Sequence, residues 1–397
     1  MRFQSIGLLV LAHTATDINQ GAIPVLLPFF IAEHHISYAA AASIVFAINF
    51  ASTLAQPVLG YISDRRSRPW LIPVAMLCAG AGVSLTGVVP SFQLGVLVVA
   101  LSGLGMAAFH PEGARLVHYL AGDRKATAMS FFAIGGQLGF AIGPLLATAA
   151  MLLWGLHGSI SLLVPTALVA GLVIFSLSRG PALDQPKSPV QPSLQVAKAE
   201  HTEWVAFAFL SAALLSRSVI FHGLNTFVPL FWIDVLHQSK AAAGTALTVL
   251  MASAIAGNLL GGRMGDRFGY RGVALVGFAF LMILLPLFAC AGSPVQALVL
   301  LIPLGMALSV PTSPLVVLGQ NYLPNNVGLA SGVTLGLGFS FGGIMTPVLG
   351  WIADHHGLHA AITVVAFIPT LCTALTLVLL LLKSSPLQPA RAGAKSS

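Results

Sequence analysis

The sequence predicts an all-α membrane protein with twelve transmembrane helices in two six-helix halves. Three observations predict it. Of the 397 residues, 57% are hydrophobic and only 7% charged, and the mean hydropathy is +0.92. An ordinary soluble domain carries about 25% charged residues and cannot hide so much apolar surface from water. Apolar runs of spanning length recur with short polar breaks, and three motifs of the first half return in the second at an offset close to 200 residues.

The runs lie at 5–32, 38–62, 70–90, 92–119, 126–153 and 157–178, then at 203–233, 241–261, 272–291, 295–322, 327–350 and 359–382. Each is near the ~20 residues that cross a hydrocarbon core. Long runs without alternation exclude a β-barrel and leave helices as the spanning structure. The first run is too long for a signal-peptide core and carries Asp17 in its middle, so it reads as a retained helix. The halves, 1–178 and 203–383, are joined by a polar linker at 179–202 with Pro181, Pro186, Pro189 and Pro192. The tail at 384–397 is rich in Ser, Pro and Ala and is expected to be disordered.

The repeat supports the halves. Gly60-Tyr61-Ile62-Ser63-Asp64-Arg65 returns as Gly262-Arg263-Met264-Gly265-Asp266-Arg267. Leu104-Gly105-Met106-Ala107 returns as Leu304-Gly305-Met306-Ala307, and Leu138-Gly139-Phe140 as Leu337-Gly338-Phe339. Alternating helices place 15 of the 18 Lys and Arg residues on one side and only Lys240 on the other. The positive-inside rule makes the rich side cytoplasmic, with both termini there and the chain in a bacterial inner membrane.

Several function classes are set aside. The net charge of +7 comes from short basic clusters between apolar runs, without the interleaved aromatics of a nucleic-acid surface. Cys78, Cys290 and Cys372 are far apart in apolar stretches and read as small hydrophobic filler. No Walker A loop, Ser-His-Asp pattern or HExxH occurs, so neither an enzyme nor a cofactor is expected. His34-His35 and His355-His356, near Glu33 and Asp354, lack ordered ligand spacing, and no metal is expected. The expected partners are a small-molecule substrate, protons and the lipid bilayer, with the chain acting as a monomer.

Charges within the apolar runs mark the candidate site. Asp17 and Glu112 are the two acidic residues well inside such runs. Each costs roughly 2.5–3.5 kcal/mol to insert at a helix centre. Both stand at similar depth, and residues of this kind usually face a cavity and each other. His13, Asp17 and Gln20 share one face of helix one, and Arg115 can pair with Glu112 three residues away. Asp17 and Glu112, tuned by Arg115 and His110, are therefore candidates for proton coupling; a static buried ion pair is the alternative. The matching stretch Val310-Pro311-Thr312-Ser313-Pro314 keeps the proline and has no charge. In helix seven, Arg217, Phe221 and Asn225 recur every four residues with His222 beside them. Arg217 could bind an anionic group of the substrate or serve as counter-ion to Asp17. His13, Gln20, Asn49 and Gln137 complete the candidate binding set.

Gly60, Asp64 and Arg65 after helix two, and Gly262, Asp266, Arg267, Gly269 and Arg271 after helix eight, form a candidate cytoplasmic gate. The glycines allow close helix approach, and the Asp can pair with the Arg or with a neighbouring helix end. The second loop resembles the signature loop of the major facilitator superfamily; the first lacks the later glycine, having Ser67 and Arg68. Gly139, Gly143 and Pro144 of helix five form a packing motif that resembles the antiporter motif of facilitator-type exporters.

Taken together, His13-x-x-x-Asp17-x-x-Gln20, Gln56-Pro57-Val58-x-Gly60-Tyr61, Phe109-His110-Pro111-Glu112, and Gly135-Gly136 with Gly143-Pro144-Leu145-Leu146 resemble the fosmidomycin-resistance group of major facilitator transporters. The resemblance covers nearly the whole chain outside linker and tail, and the His-Pro-Glu stretch is its most specific element. It implies the major facilitator fold and proton-coupled efflux of a small drug. The group's type substrate, a phosphonate antibiotic, would suit Arg217 or Arg115 as an anion contact. The expected function is thus a proton-coupled antiporter exporting a small polar or anionic compound. An importer or facilitator of a small metabolite, driven by proton symport, is the alternative.

Overall fold

The computed structural model describes residues 3–65, 68–122, 125–179, 203–326, 329–330 and 332–382, with side chains described outside 60–65, 125–127, 325 and 335–337. Apart from Arg179, the expected linker and tail lie outside the described residues, as do the side chains of Gly60, Asp64 and Arg65.

The helices fall on the apolar runs. In the first half they are α1 (Phe3–His34), α2 (Tyr38–Arg65), α3 (Leu71–Leu85), α4 (Phe92–Leu120), α5 (Lys125–Trp154) and α6 (Leu163–Ser178), the last entered through a 3-10 turn at Gly155–Leu162. The second half has α7 (Trp204–Asp234), α8 (Lys240–Phe268), α9 (Tyr270–Ala289), α10 (Pro294–Ser309), α11 (Thr312–Tyr322), α12 (Gly338–His356, led by a π turn at Gly332–Leu337) and α13 (Leu358–Leu381). Nine segments among the described residues are long and apolar enough to cross a membrane. One of them, Ala128–Ser178, is 51 residues long and holds both α5 and α6. α3, with 15 residues, and α1, whose middle carries His13, Asp17, Asn19 and Gln20, stand outside the nine.

A proline separates the halves' behaviour. α4 passes through Pro111 unbroken, whereas the matching helix is interrupted at Val310–Pro311 and resumes as α11. A proline lacks the amide N–H and crowds the carbonyl four residues back. Pro311 and Pro314 do this twice within one turn, and the last carbonyls of α10 lose their ladder partners.

The halves otherwise repeat one packing scheme. Gly143 of α5 lies against the carbonyl of Ile18 on α1, and Gly342 of α12 lies against the carbonyl of Ser218 on α7. Neither position leaves room for a Cβ. The second contact is tied further by Gly342 N–H donating to Ser218 Oγ at 2.9 Å. Position 18 thus corresponds to 218, and Asp17 to Arg217.

Call the end where α1 starts the near end, and the opposite end the far end. The halves pack on each other at the middle and far end. One continuous apolar core joins Ile44, Ile48 and Met151 of the first half to Phe227, Phe231 and Leu247 of the second. The near end of the first half has a separate core around Ile6, Leu9, Phe109, Leu116 and Phe132.

Candidate functional site

α1 supplies His13 and Asp17 one turn apart, α4 supplies His110, and α5 closes the group from the third side. His13 is 8% exposed and Asp17 4%. His13 Nδ1 lies 2.7 Å from the carbonyl oxygen of Phe132. A carbonyl only accepts, so Nδ1 carries a hydrogen. The other ring nitrogen, Nε2, faces Asp17 Oδ2 at 3.2 Å. Asp17 Oδ1 lies 3.2 Å from His110 Nε2. His110 faces Asp17 through Nε2 and has the Met106 backbone as a second partner. A neutral His13 cannot donate to Asp17, because its one hydrogen is already spent on Phe132. Its contact with Asp17 is attractive only when the pair holds one further proton. Phe132 stacks on the His13 ring with centroids 4.1 Å apart, which fixes the ring plane. Among the described residues, His13, Asp17 and His110 are also the group whose donor atoms, all within 4.8 Å, come close enough together to hold a metal ion.

Glu112 is fully buried and belongs to a different cluster. It accepts from Arg115 Nη2 at 3.0 Å and from the backbone N–H of Arg68 at 3.0 Å. The expectation that Asp17 and Glu112 face each other is therefore corrected: each has its own partners. Two residues along a helix turn about 200°, so His110 and Glu112 point to opposite sides of α4. His110 reaches α1, and Glu112 reaches the chain entering α3.

In the second half Arg217 is 7% exposed and donates from Nε to the carbonyl of Leu308 at 2.9 Å. That carbonyl is one of those released by the break after α10. Arg217 forms no ion pair among the described residues, so the counter-ion role towards Asp17 is not what this conformation shows. One turn on, Phe221 meets Phe140 of α5 and Phe339 at centroid distances of 6.1 and 5.4 Å. Phe140 and Phe339, the repeat-related pair, also meet each other at 6.1 Å, so three aromatic rings close the junction between the halves. His222 stacks edge-on to Phe339 at 5.2 Å and faces the Ser218 carbonyl at 3.2 Å.

The remaining polar candidates scatter. Asn225 Oδ1 and Gln137 Oε1 are buried atoms without a hydrogen-bond partner among the described residues. Asn49 donates to the Val45 carbonyl at 2.8 Å and packs under Gly343 of α12. Gln20 is half-buried on the face of α1 that carries Asp17. Gly139 and Gly143, with Pro144 next in sequence, seat α5 on α1.

The described gate residues of the second half are bound within that half. Asp266 accepts from Tyr270 at 2.7 Å. Arg271 donates to Tyr322 at 2.8 Å and to the Leu382 carbonyl at 3.2 Å. Arg267 and Gly269 are exposed, and Gly262 stands 3.9 Å from Ser313. Sequence reasoning missed the Phe132 carbonyl and the aromatic junction. The Leu-Gly-Phe repeat marked these two Phe residues as equivalent, and the structure places both at the axis between the halves.

The geometry can be set beside known proteins. The family model described as Major Facilitator Superfamily matches residues 9–335 and, in a second match, 223–396. The chain is 29% identical over 374 residues to the "Fosmidomycin resistance protein" of Escherichia coli (strain K12), covering 93% of this chain and 91% of that protein. It is 29% identical over 370 residues to the uncharacterized MFS-type transporter YfnC of Bacillus subtilis (strain 168), covering 91% and 89%. Among solved structures, a bacterial homolog to the human lysosomal transporter Spinster, in an inward-facing and occupied conformation, superposes with a TM-score of 0.81 at 16% identity, covering 95% of this chain and 96% of that one. The nucleoside transporter NupG superposes with a TM-score of 0.68 at 17% identity, covering 95% and 98%. Those two likenesses establish the fold, and the family match over most of the chain establishes the lineage: this protein is a transporter of the Major Facilitator Superfamily.

Proposed function

We propose that this transporter is a proton-coupled antiporter that exports a small polar or anionic compound across a bacterial inner membrane, with its near end in the cytoplasm. The observation that carries this is the His13–Asp17–His110 group. A neutral His13 has no hydrogen to offer Asp17, so that contact is satisfied only by a further proton on the pair. Exchange of that proton as the halves rock would alternate the group between a neutralised and an anionic state. Glu112 and Arg115 complete the proton-handling set, linking α4 to the chain entering α3.

Substrate binding is assigned to the other half and the junction. The guanidinium of Arg217 offers an anion contact, and Asn225, Gln137, Gln20 and Asn49 offer polar ones. His13, His222 and Phe221 flank them. The similarity to a protein named for fosmidomycin resistance supports export and a drug-like substrate. One observation favours the importing alternative. Arg217 and Asp17 occupy repeat-related positions in the two halves, and an anion held at Arg217 close enough to Asp17 would favour a proton there, which suits carrying both in one direction.

Proteoliposomes with an internal pH dye separate these readings. Fosmidomycin added to the wild type is expected to drive protons opposite to the drug, and Asp17→Asn to bind it without moving protons. Protons and drug moving together would establish symport. If Asp17→Asn and Glu112→Gln both still export against a gradient driven by ΔpH, the proton role is wrong.

A further inference from the structure

At the far end, Tyr38 and Ala39 open α2 with amides that have no partner within the helix. α2 has no acidic residue in its first turn to receive them. Asp354, close to the end of α12 in the other half, receives both: Tyr38 N–H donates to Oδ1 at 2.7 Å and Ala39 N–H to Oδ2 at 3.0 Å. The Tyr38 hydroxyl donates to Asp234, the last residue of α7, at 3.0 Å. Both aspartates stand at helix C-termini, where a carboxylate is disfavoured by the partial negative charge of the last carbonyls. Neither is placed to stabilise its own helix; Asp354 serves the other half, and Asp234 faces both the Tyr38 hydroxyl of the other half and the Lys240 ammonium of its own.

The approach is prepared along α12. Gly343, Thr346, Gly350 and Asp354 form one stripe facing α2. Thr346 donates to the Ala42 carbonyl at 3.3 Å. A Cβ on Gly350 would stand 2.6 Å from Ala39 Cα and 2.8 Å from Ala39 N, so only glycine lets the backbones come close enough for Asp354 to reach. Beside this contact, Lys240 at the start of α8 sets its ammonium 4.0 Å from the centre of the Phe29 ring on α1. At the near end, by contrast, Asp266 and Arg271 are tied within their own half.

We propose that Asp354, seconded by Asp234, is the lock of the far end: by capping α2 across the interface it holds that end closed, and opening towards the far side requires its release. Asp354 is thus a positioning residue for alternating access, distinct from the near-end gate and from the proton group.

The test uses the full-length protein with Cys78→Ser, Cys290→Ser and Cys372→Ala, and reads distances between spin labels. One pair, at His157 and Gly292, spans the far end; the other, at Ser178 and Phe268, spans the near end. Neither substrate nor a proton gradient is needed, so the result is independent of the antiport reading. Asp354→Ala is expected to add a longer far-end distance and a shorter near-end one, shifting the ratio of the two populations by about tenfold or more, since tenfold is the worth of one of the two charge-assisted hydrogen bonds it removes. Asp354→Asn should shift it less, and Tyr38→Phe, which removes only the Asp234 bond, least. A lowered melting temperature with both distance distributions unmoved would overturn the proposal and leave a merely structural contact. Should Asp354→Ala fail to fold, the other two variants decide, and no movement in either overturns it.

Discussion

Positions 17 and 217 occupy the same place in two halves built on one plan, each one residue before the carbonyl against which a glycine packs. In the first half the position carries a carboxylate, held by His13 and His110. In the second it carries a guanidinium, held by a backbone carbonyl. A carboxylate between imidazoles is a titratable group with titratable partners. An arginine on a carbonyl stays charged at any pH a cell meets. The repeat thus keeps the scaffold and divides the chemistry, with a carboxylate among imidazoles in one half and a guanidinium on a carbonyl in the other.

The largest expected effect comes from removing the fixed charge. Arg217→Gln should weaken binding of an anionic substrate by about 1.5–3 kcal/mol, roughly ten- to a hundredfold in affinity, read by calorimetry on the purified protein. Arg217→Lys should restore part of it. Unchanged affinity in Arg217→Gln would remove the anion role and leave Arg217 as a strut on Leu308. A second effect tests the first half alone. A Cβ on Gly136 would stand 2.7 Å from both Asp17 Oδ2 and His13 Nε2, whereas the equivalent position in the second half is Leu335. Gly136→Ala should therefore cost about 1–3 kcal/mol of stability by overpacking and should also impair proton movement. A lowered melting temperature with intact proton movement would mean the His–Asp contact is not the proton site. The smallest effect belongs to the interface. Lys240→Met should cost about 0.5–1 kcal/mol by losing the cation–π contact with Phe29, and should leave proton movement unchanged.

Much of this was legible in the chain before folding. The breaks between the expected runs and the shared face of His13 and Asp17 depend on neighbours close in sequence and hold in the structure, although the run expected at 295–322 is interrupted at Val310–Pro311. Arg115 with Glu112, three residues apart, was legible for the same reason. The partner of Asp17 on α4 was not. His110 and Glu112 both lie in the Phe-His-Pro-Glu stretch, and only the rotation of α4 about its axis decides which of them meets α1. The acceptor of Arg217 was hidden as well, because a backbone carbonyl leaves no mark in the sequence; the prolines at 311 and 314 marked the break but not who would use it.

The sequence by itself determined that the chain lives in a membrane, where most of its helices lie, that its halves are related, and which few residues carry charge into the apolar interior. Those properties follow from composition and from spacing along one dimension. The tertiary structure alone decided which charges meet: that Asp17 sits between two histidines while Glu112 turns away, that Phe140 finds its repeat-mate Phe339, and that Asp354 caps a helix that begins 316 residues earlier. Such contacts depend on how helices are rotated and brought together, and the free energy that fixes them comes from packing surfaces far apart in the chain.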